Sequence, residues 1–236
     1  RLDRTDVRVT WRDACLSARL PNVDACLIAG PVVERVETAR VLVRVGTPVF
    51  LAWPPANDLR SLNKLAREAD ESGVAAWASL PLRFHSDLAD LPPAPRLVTL
   101  ECRGVRAPTS VASLSTMADL VLQLGRGYAP KRLLSTFVRT PTREPRAAAF
   151  SVRFDSGMLV HATAMAGGPP SIRLNAVSAL TTHTYDLLAS GAIARAEDAE
   201  LAAFLSAAAE RRPMRPGLTA ARDALRLAAH VSKRAR

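Results

Sequence analysis

The chain has 236 residues, 48% of them apolar and 23% charged, and carries a formal net charge of +10. Such a composition excludes a disordered or low-complexity protein, and the length supports one large domain or two modest ones with a buried core. No apolar run approaches the roughly 18 residues of a membrane-spanning helix, and no charged-then-apolar leader marks secretion.

The positive charge is almost wholly arginine, the only lysines being Lys64, Lys131 and Lys233. The arginines are dispersed, and the densest cluster is the tail Ser232–Arg236. This reads as a solvated surface rather than a nucleic-acid interface. Cys15, Cys26 and Cys102 lack metal-ligand or redox spacing. An odd number of scattered thiols predicts a reducing, cytoplasmic setting.

In chain order, Val7–Trp11 alternates and predicts a short strand. Asp13–Arg19 predicts a helical turn or two, capped by Asp13 and broken by Pro21-Asn22. Asp24–Pro31 predicts a buried strand ending in a tight turn. Val33–Val45 predicts a helix with Val33, Val36, Val41 and Val45 apolar, closed by Gly46. Pro48–Leu51 predicts a strand halted by Trp53-Pro54-Pro55. Asp58–Ser72 predicts a helix with Leu59, Leu62, Leu65, Ala66 and Ala69 on one stripe, ended by Gly73. Val74–Ala78 predicts a further strand.

Strands alternating with helices at this pace indicate a parallel sheet with helical crossovers. The stiff run Leu91–Pro95 marks a boundary, dividing the chain into 1–91 and 92–236. Beyond it, Arg96–Arg103 alternates as a strand, Val111–Leu124 is helical, and Arg132–Thr140 is a strand. Ala147–Phe154 and Gly157–Ala164 form a hairpin about Asp155-Ser156-Gly157. Ser171–Val177 is another strand. Ala196–Glu210 and Leu218–Val231 are alanine-rich helices. A strand meander with flanking helices predicts an α+β domain with an open, mostly antiparallel sheet.

Five stretches, in this order, resemble the glucose–fructose oxidoreductase, inositol dehydrogenase and rhizopine catabolism (Gfo/Idh/MocA) family. Asp24–Pro31, "DACLIAGP", is similar to that family's strand ending in an Ala-Thr-Pro turn. "GTPVFLAWP" is similar to its Gly-Lys-His-Val-x-x-Glu-Lys-Pro strand. "ESGVAAWASLPLRFHSDLADL" resembles its Gly-Val … Arg-Phe-His-Pro stretch, "AAAFSVRFDSGMLVHATA" its Phe-x-x-Gly hairpin, and Glu200–Arg236 its closing helix pair. The resemblance implies a Rossmann-type nucleotide domain followed by an α+β domain whose sheet mediates oligomers. It also implies hydride transfer between NAD(P) and a sugar or cyclitol hydroxyl, with a sugar-like ligand as partner. On that resemblance Ala29, Gly30, Pro31, Trp53 and Pro54 line the cofactor, and Arg83, His85 and Asp119 lie near substrate.

Two departures stand out. No glycine-rich phosphate loop is present. Val7–Trp11 aligns with the third family strand, so the first strands would precede Arg1. The expectation is a fragment short of roughly 40 to 60 residues, the size of a βαβ unit; the alternative is a truncated subunit whose edge a partner covers. NAD or NADP is expected only if an upstream segment carries that loop. The second departure is in the acid/base residues. Trp53 stands at the family's catalytic lysine and Ala52 at its glutamate. An indole only donates a hydrogen bond and has no titratable proton; Trp53 otherwise reads as a core residue at a strand end. On the family's Asp-x-Gly-x-His-x-x-Asp helix, Ala112 replaces the first Asp and Thr116 the His, and Asp119 alone keeps its type. Asp119 reads as a site carboxylate or a solvated helix residue, and His85 as a strand-end group facing the cleft. His161 reads as sheet surface and His230 as solvent-facing. Two functions follow: a catalytically degenerate ligand-binding or assembly subunit, or an oxidoreductase using Asp119, His85 or a water in place of the usual residues.

Overall fold

The structure, a computed structural model, describes residues 23–92, 95–139, 145–189, 191–214 and 217–233. The elements expected at Val7–Trp11 and Asp13–Arg19, and Cys15, lie outside these residues. In chain order the described elements are β1 (Cys26–Ile28), α1 (Val32–Arg44), β2 (Val49–Leu51), α2 (Leu59–Ser72), β3 (Ala76–Ala78), a 3-10 turn at Pro81–Phe84, α3 (Ser86–Ala89), β4 (Leu97–Arg103), α4 (Val111–Leu124), β5 (Pro130–Arg139), β6 (Pro145–Phe154), β7 (Leu159–Met165), β8 (Ser171–Val177), β9 (Thr182–Asp186), α5 (Ala192–Ala209) and α6 (Gly217–Lys233). The chain forms two compact units. The first runs to Ser79 and takes in Glu200–Thr219; the second holds Leu80–Ala199 and the chain from Ala220 onward.

In the first unit the three strands are parallel in the order β1-β2-β3, with Cys26 opposite Val49 and Val49 opposite Ala76. The central strand is apolar at every position and wholly buried, as expected of a parallel strand covered on both faces. Helix α2 shows how local chemistry sets its ends. The Asp58 carboxylate accepts from the Ser61 amide at 2.8 Å and from the Ser61 hydroxyl at 2.8 Å, satisfying an orphan donor of the first turn. Those bonds also hold the Asp58 carboxyl below the usual carboxylate range. Gly73 closes the helix at φ +63°, a left-handed conformation that costs a side-chain-bearing residue about 1 kcal/mol or more. Between them Leu62, Leu65, Ala66 and Ala69 are buried, and each leucine contributes roughly 1.5–3 kcal/mol of burial.

Helix α1 forms where expected, and only Val36 of its four expected apolar residues is buried. Val33, Val41 and Val45 are exposed, and Val36, Ala39, Leu42 and Val43 are buried together with Arg40. The reason is an ionic cluster with α2. Arg40, 6% exposed, donates to both oxygens of Glu68 at 2.9 and 2.8 Å and to both oxygens of Glu37 at 2.9 and 2.8 Å. A buried guanidinium survives only when so satisfied, and its partner on α2 dictates which side of α1 turns inward.

The distant segment Glu200–Thr219 completes this unit. Phe204 packs edge-on against Phe50, with centroids 5.3 Å apart at 66°. The buried Trp77 donates its indole N–H to Glu200 Oε1 at 2.6 Å, and Ser79 Oγ donates to Oε2 at 3.0 Å.

The second unit is a six-stranded sheet in the order β5-β6-β7-β4-β8-β9. The β6–β7 hairpin forms as expected, with Gly157 at φ +85° in its turn. The sheet is not a simple meander. Strand β4 enters between β7 and β8, parallel to the first and antiparallel to the second. Its side chains alternate, Val98, Leu100 and Cys102 buried and Leu97, Thr99 and Glu101 half-buried, so one face of the strand meets the core and the other is partly open. Strand β9 was not anticipated; "THTYD" is exposed at four of its five positions and offers no apolar alternation. Helix α4 packs against β7, and Leu114, Met117, Leu120, Val121 and Leu124 along it are buried. It ends at Gly125, where an added β-carbon would collide with the ring of the fully buried Phe154. Among the described residues no helix is long and apolar enough to cross a membrane.

Candidate functional site

In open parallel sheets, ligands bind beyond the carboxyl ends of the strands. At that end of the first unit, β1 leads through Ala29-Gly30-Pro31 into α1, and β2 leads into Ala52-Trp53-Pro54-Pro55. The turns are tied by backbone, the Ala52 amide donating to the Ile28 carbonyl at 2.9 Å. They are also tied by a side chain that the sequence reading passed over. Arg35 donates through Nε to the Gly30 carbonyl at 2.6 Å. Its Nη1 donates to the carbonyls of Ala52 at 3.0 Å and Pro54 at 2.6 Å. The available signal was an arginine in the first turn of a helix that opens on Pro31, placed to reach back over the strand ends. Burial lowers the Arg35 guanidinium from its ordinary value.

All five residues expected to line a cofactor, Ala29, Gly30, Pro31, Trp53 and Pro54, therefore lie on these two adjoining turns. The Trp53–Pro54 bond is cis. Space over Gly30 is open among the described residues: an added β-carbon would meet none of their atoms within 4 Å. Trp53 is half-buried, and its Nε1 is shut away from solvent with no acceptor among the described residues. It is thus neither a satisfied core tryptophan nor an acid or base.

In the second unit Arg83 and Asp119 come together. Arg83 Nη2 reaches Asp119 Oδ1 at 2.5 Å, and Arg83 Nε lies 3.0 and 3.1 Å from the two oxygens. Asp119 is 2% exposed, so it is not a solvated helix residue. Burial pushes its carboxyl up, against the opposing pull of the Arg83 guanidinium. One helical turn further on, Gln123 donates to the Arg83 carbonyl at 3.4 Å, and its Oε1 is buried without a partner among the described residues. Thr116 Oγ1 donates back to the Ala112 carbonyl at 2.9 Å.

His85 is not at a strand end. Strand β3 stops at Ala78, and His85 follows the 3-10 turn and caps α3. It is 3% exposed. Its Nδ1 accepts from the Asp87 amide at 3.3 Å, and Nε2 lies 3.1 Å from the Leu187 carbonyl. A ring that accepts at Nδ1 and faces a carbonyl at Nε2 is the neutral tautomer protonated at Nε2. His161 on β7 is half-buried, 2.8 Å from Ser151 Oγ. His183 and His230 are exposed. Among the described residues no group of three His, Cys, Asp or Glu side chains could hold a metal.

No family model matches the chain. Solved structures do. UDP-N-acetylglucosamine 3-dehydrogenase GnnA from Acidithiobacillus ferrooxidans superposes with a TM-score of 0.77 at 20% identity, over 90% of this chain and 78% of that one. A myo-inositol dehydrogenase from Corynebacterium glutamicum gives 0.77 at 14% identity, over 92% and 79%. GenD2 from gentamicin A biosynthesis, solved with NAD, gives 0.73 at 12% identity, over 89% and 75%. Dehydrogenase aclE from Aspergillus oryzae is 33% identical over 67 residues, a match spanning 28% of this chain and 18% of that protein. The fold is that of the Gfo/Idh/MocA-type dehydrogenases.

Proposed function

We propose that this protein uses a sugar-dehydrogenase fold to bind a sugar-like ligand without performing the usual proton transfer. The observation that carries this reading is the state of each group that would move a proton. Trp53, at the family's lysine position, has no titratable group. The Thr116 hydroxyl is spent on its own helix, Asp119 is held by Arg83, and both nitrogens of His85 face backbone groups. A general acid or base needs a titratable group within reach of substrate; Trp53 has none, and Thr116, Asp119 and His85 are each engaged within the protein.

The residues present fit a dinucleotide only in part. The two turns at the strand ends and the open space over Gly30 suit the ring end of NAD(P). The 236 residues contain no glycine-rich loop to cradle a pyrophosphate. When bound, such a cofactor would supply hydride chemistry. Self-association through the six-stranded sheet belongs to the same reading, since Leu134 and Val138 of edge strand β5 stand exposed.

The second reading, an NAD(P)-dependent oxidoreductase acting on a sugar or cyclitol hydroxyl, draws support from Asp119, whose raised carboxyl would carry a proton nearer to neutrality. The test is a panel of sugars and cyclitols with NAD and NADP, run on the natural protein and on Trp53→Lys. The binding-only reading expects no turnover from the natural protein and a gain on installing the lysine. Turnover by the natural protein that Asp119→Asn abolishes would establish the oxidoreductase instead.

A further inference from the structure

We propose that the ligand carries an oxyanion, a carboxylate or a phosphate, and that Arg35 Nη2 receives it at the strand ends of the first unit. This inference deepens the ligand-binding reading above and rests on it.

A guanidinium has five N–H groups. In Arg35 three are used, one on Nε and two on Nη1, and all three go to backbone carbonyls of the two turns. Both N–H groups of Nη2 remain. Nη2 has no partner among the described residues, and it is not among the polar atoms shut away from solvent. No carboxylate pairs with Arg35 among the described residues, in contrast to Arg40 and Arg83, each of which meets an acidic side chain. A half-buried cation with only neutral acceptors carries an uncompensated desolvation cost, and the lowered guanidinium agrees with that.

The placement favours a ligand over a purely structural clamp. The three carbonyl contacts hold the guanidinium in one orientation, so a fixed donor pair is presented at the carboxyl ends of parallel strands. The same turn carries a second donor without an acceptor among the described residues, Trp53 Nε1. Unsatisfied buried donors are uncommon in folded proteins and call for a specific reason. A clamp alone would account for the three carbonyl bonds. It would not account for a charge with no counter-ion at this position.

The test is calorimetric titration of the full-length protein with inorganic phosphate, D-glucuronate, glucose 6-phosphate and neutral D-glucose. Binding of the anionic probes above that of glucose is expected. Whichever of glucuronate and glucose 6-phosphate binds tighter identifies the anion's source. Arg35→Gln should weaken the anionic probes about tenfold or more, the scale of one lost charge-assisted hydrogen bond. Arg67→Gln, which removes the same charge from the exposed face of α2, should leave them unchanged. Should Arg35→Gln fail to fold, phosphate protection of the natural protein against phenylglyoxal, mapped by peptide mass spectrometry, must appear at Arg35 and not at Arg60 or Arg67. Equal loss in both variants, equal binding of glucose and anions, or absence of phosphate binding overturns the inference. Binding of phosphate through Arg35 with no sugar derivative bound better sinks the sugar-ligand reading and leaves the anion site standing.

Discussion

Replacing Glu68 by Gln should destabilise the first unit by about 2 kcal/mol at neutral pH, and the effect should shrink on acidification. Glu68 lies between Arg40 at 2.8 Å and Arg44 at 3.1 Å. Hydrogen bonding to Arg40, with Arg44 adding to it, holds its carboxyl down to about 2. Against an ordinary glutamate near 4.3 the shift is worth at most about 3 kcal/mol, at roughly 1.4 kcal/mol per unit. The side chain is still 15% exposed, so solvent screening reduces this to about 2. The sign follows from the depressed value. The stabilisation is complete above the unfolded carboxyl's pKa and is lost as pH falls from about 4.3 through about 2. Urea unfolding of the natural protein and Glu68→Gln at pH 7 and pH 3 measures both quantities. The gap should be about 2 kcal/mol at pH 7 and less than half of that at pH 3. Pairing the change with Arg40→Met should recover part of the loss, because an apolar residue leaves no buried charge behind. A gap below about 0.5 kcal/mol at pH 7, typical of an exposed ion pair, or one that does not change with pH, would refute the cluster's assigned role.

Three further outcomes follow from the same structure. Gly125→Ala should cost about 1–3 kcal/mol by overpacking the Phe154 ring; Phe154→Leu in the same chain should relieve part of it, and thermal denaturation of the single and double variants reads the difference. Asp119→Ala should cost about 3 kcal/mol or more by stranding Arg83, well above Asp223→Ala on the open face of α6, whose pairs with Arg222 and Arg226 are long surface contacts; chemical denaturation of the two variants compares them. Burial pushes the Cys102 thiol up to about 12, so a thiol-specific disulfide reagent at pH 8 should modify Cys102 only after denaturant is added; rapid labelling of Cys102 in the native protein would show that strand β4 opens.

Much of the fold could be read along the chain because its signals are local. The α2 boundaries follow from Asp58 and Gly73, α4 from Ser110 and its apolar run, β8 from alternation, and the β6–β7 turn from Asp155-Ser156-Gly157. Each depends on residues a few positions apart. The same locality placed Ala29–Pro31 and Trp53-Pro54 at strand ends, and so located the turns that carry the candidate site.

What only tertiary structure decided are the pairings that span many residues. Whether β4 lies beside β5 or between β7 and β8 is a choice among sheet partners to which alternation is indifferent. Trp77 and Glu200 are 123 positions apart and Arg83 and Asp119 are 36 apart, so no periodicity joins them. The inward face of α1 includes Arg40, which is polar by type and pairs with Glu68 on the next helix. His85 has the residue type of a catalytic base, but the Leu187 carbonyl and Asp87 amide make it a capping group. Side-chain chemistry is written in the sequence; whether a charged or polar group is free to act depends on which partner the fold brings within about 3 Å.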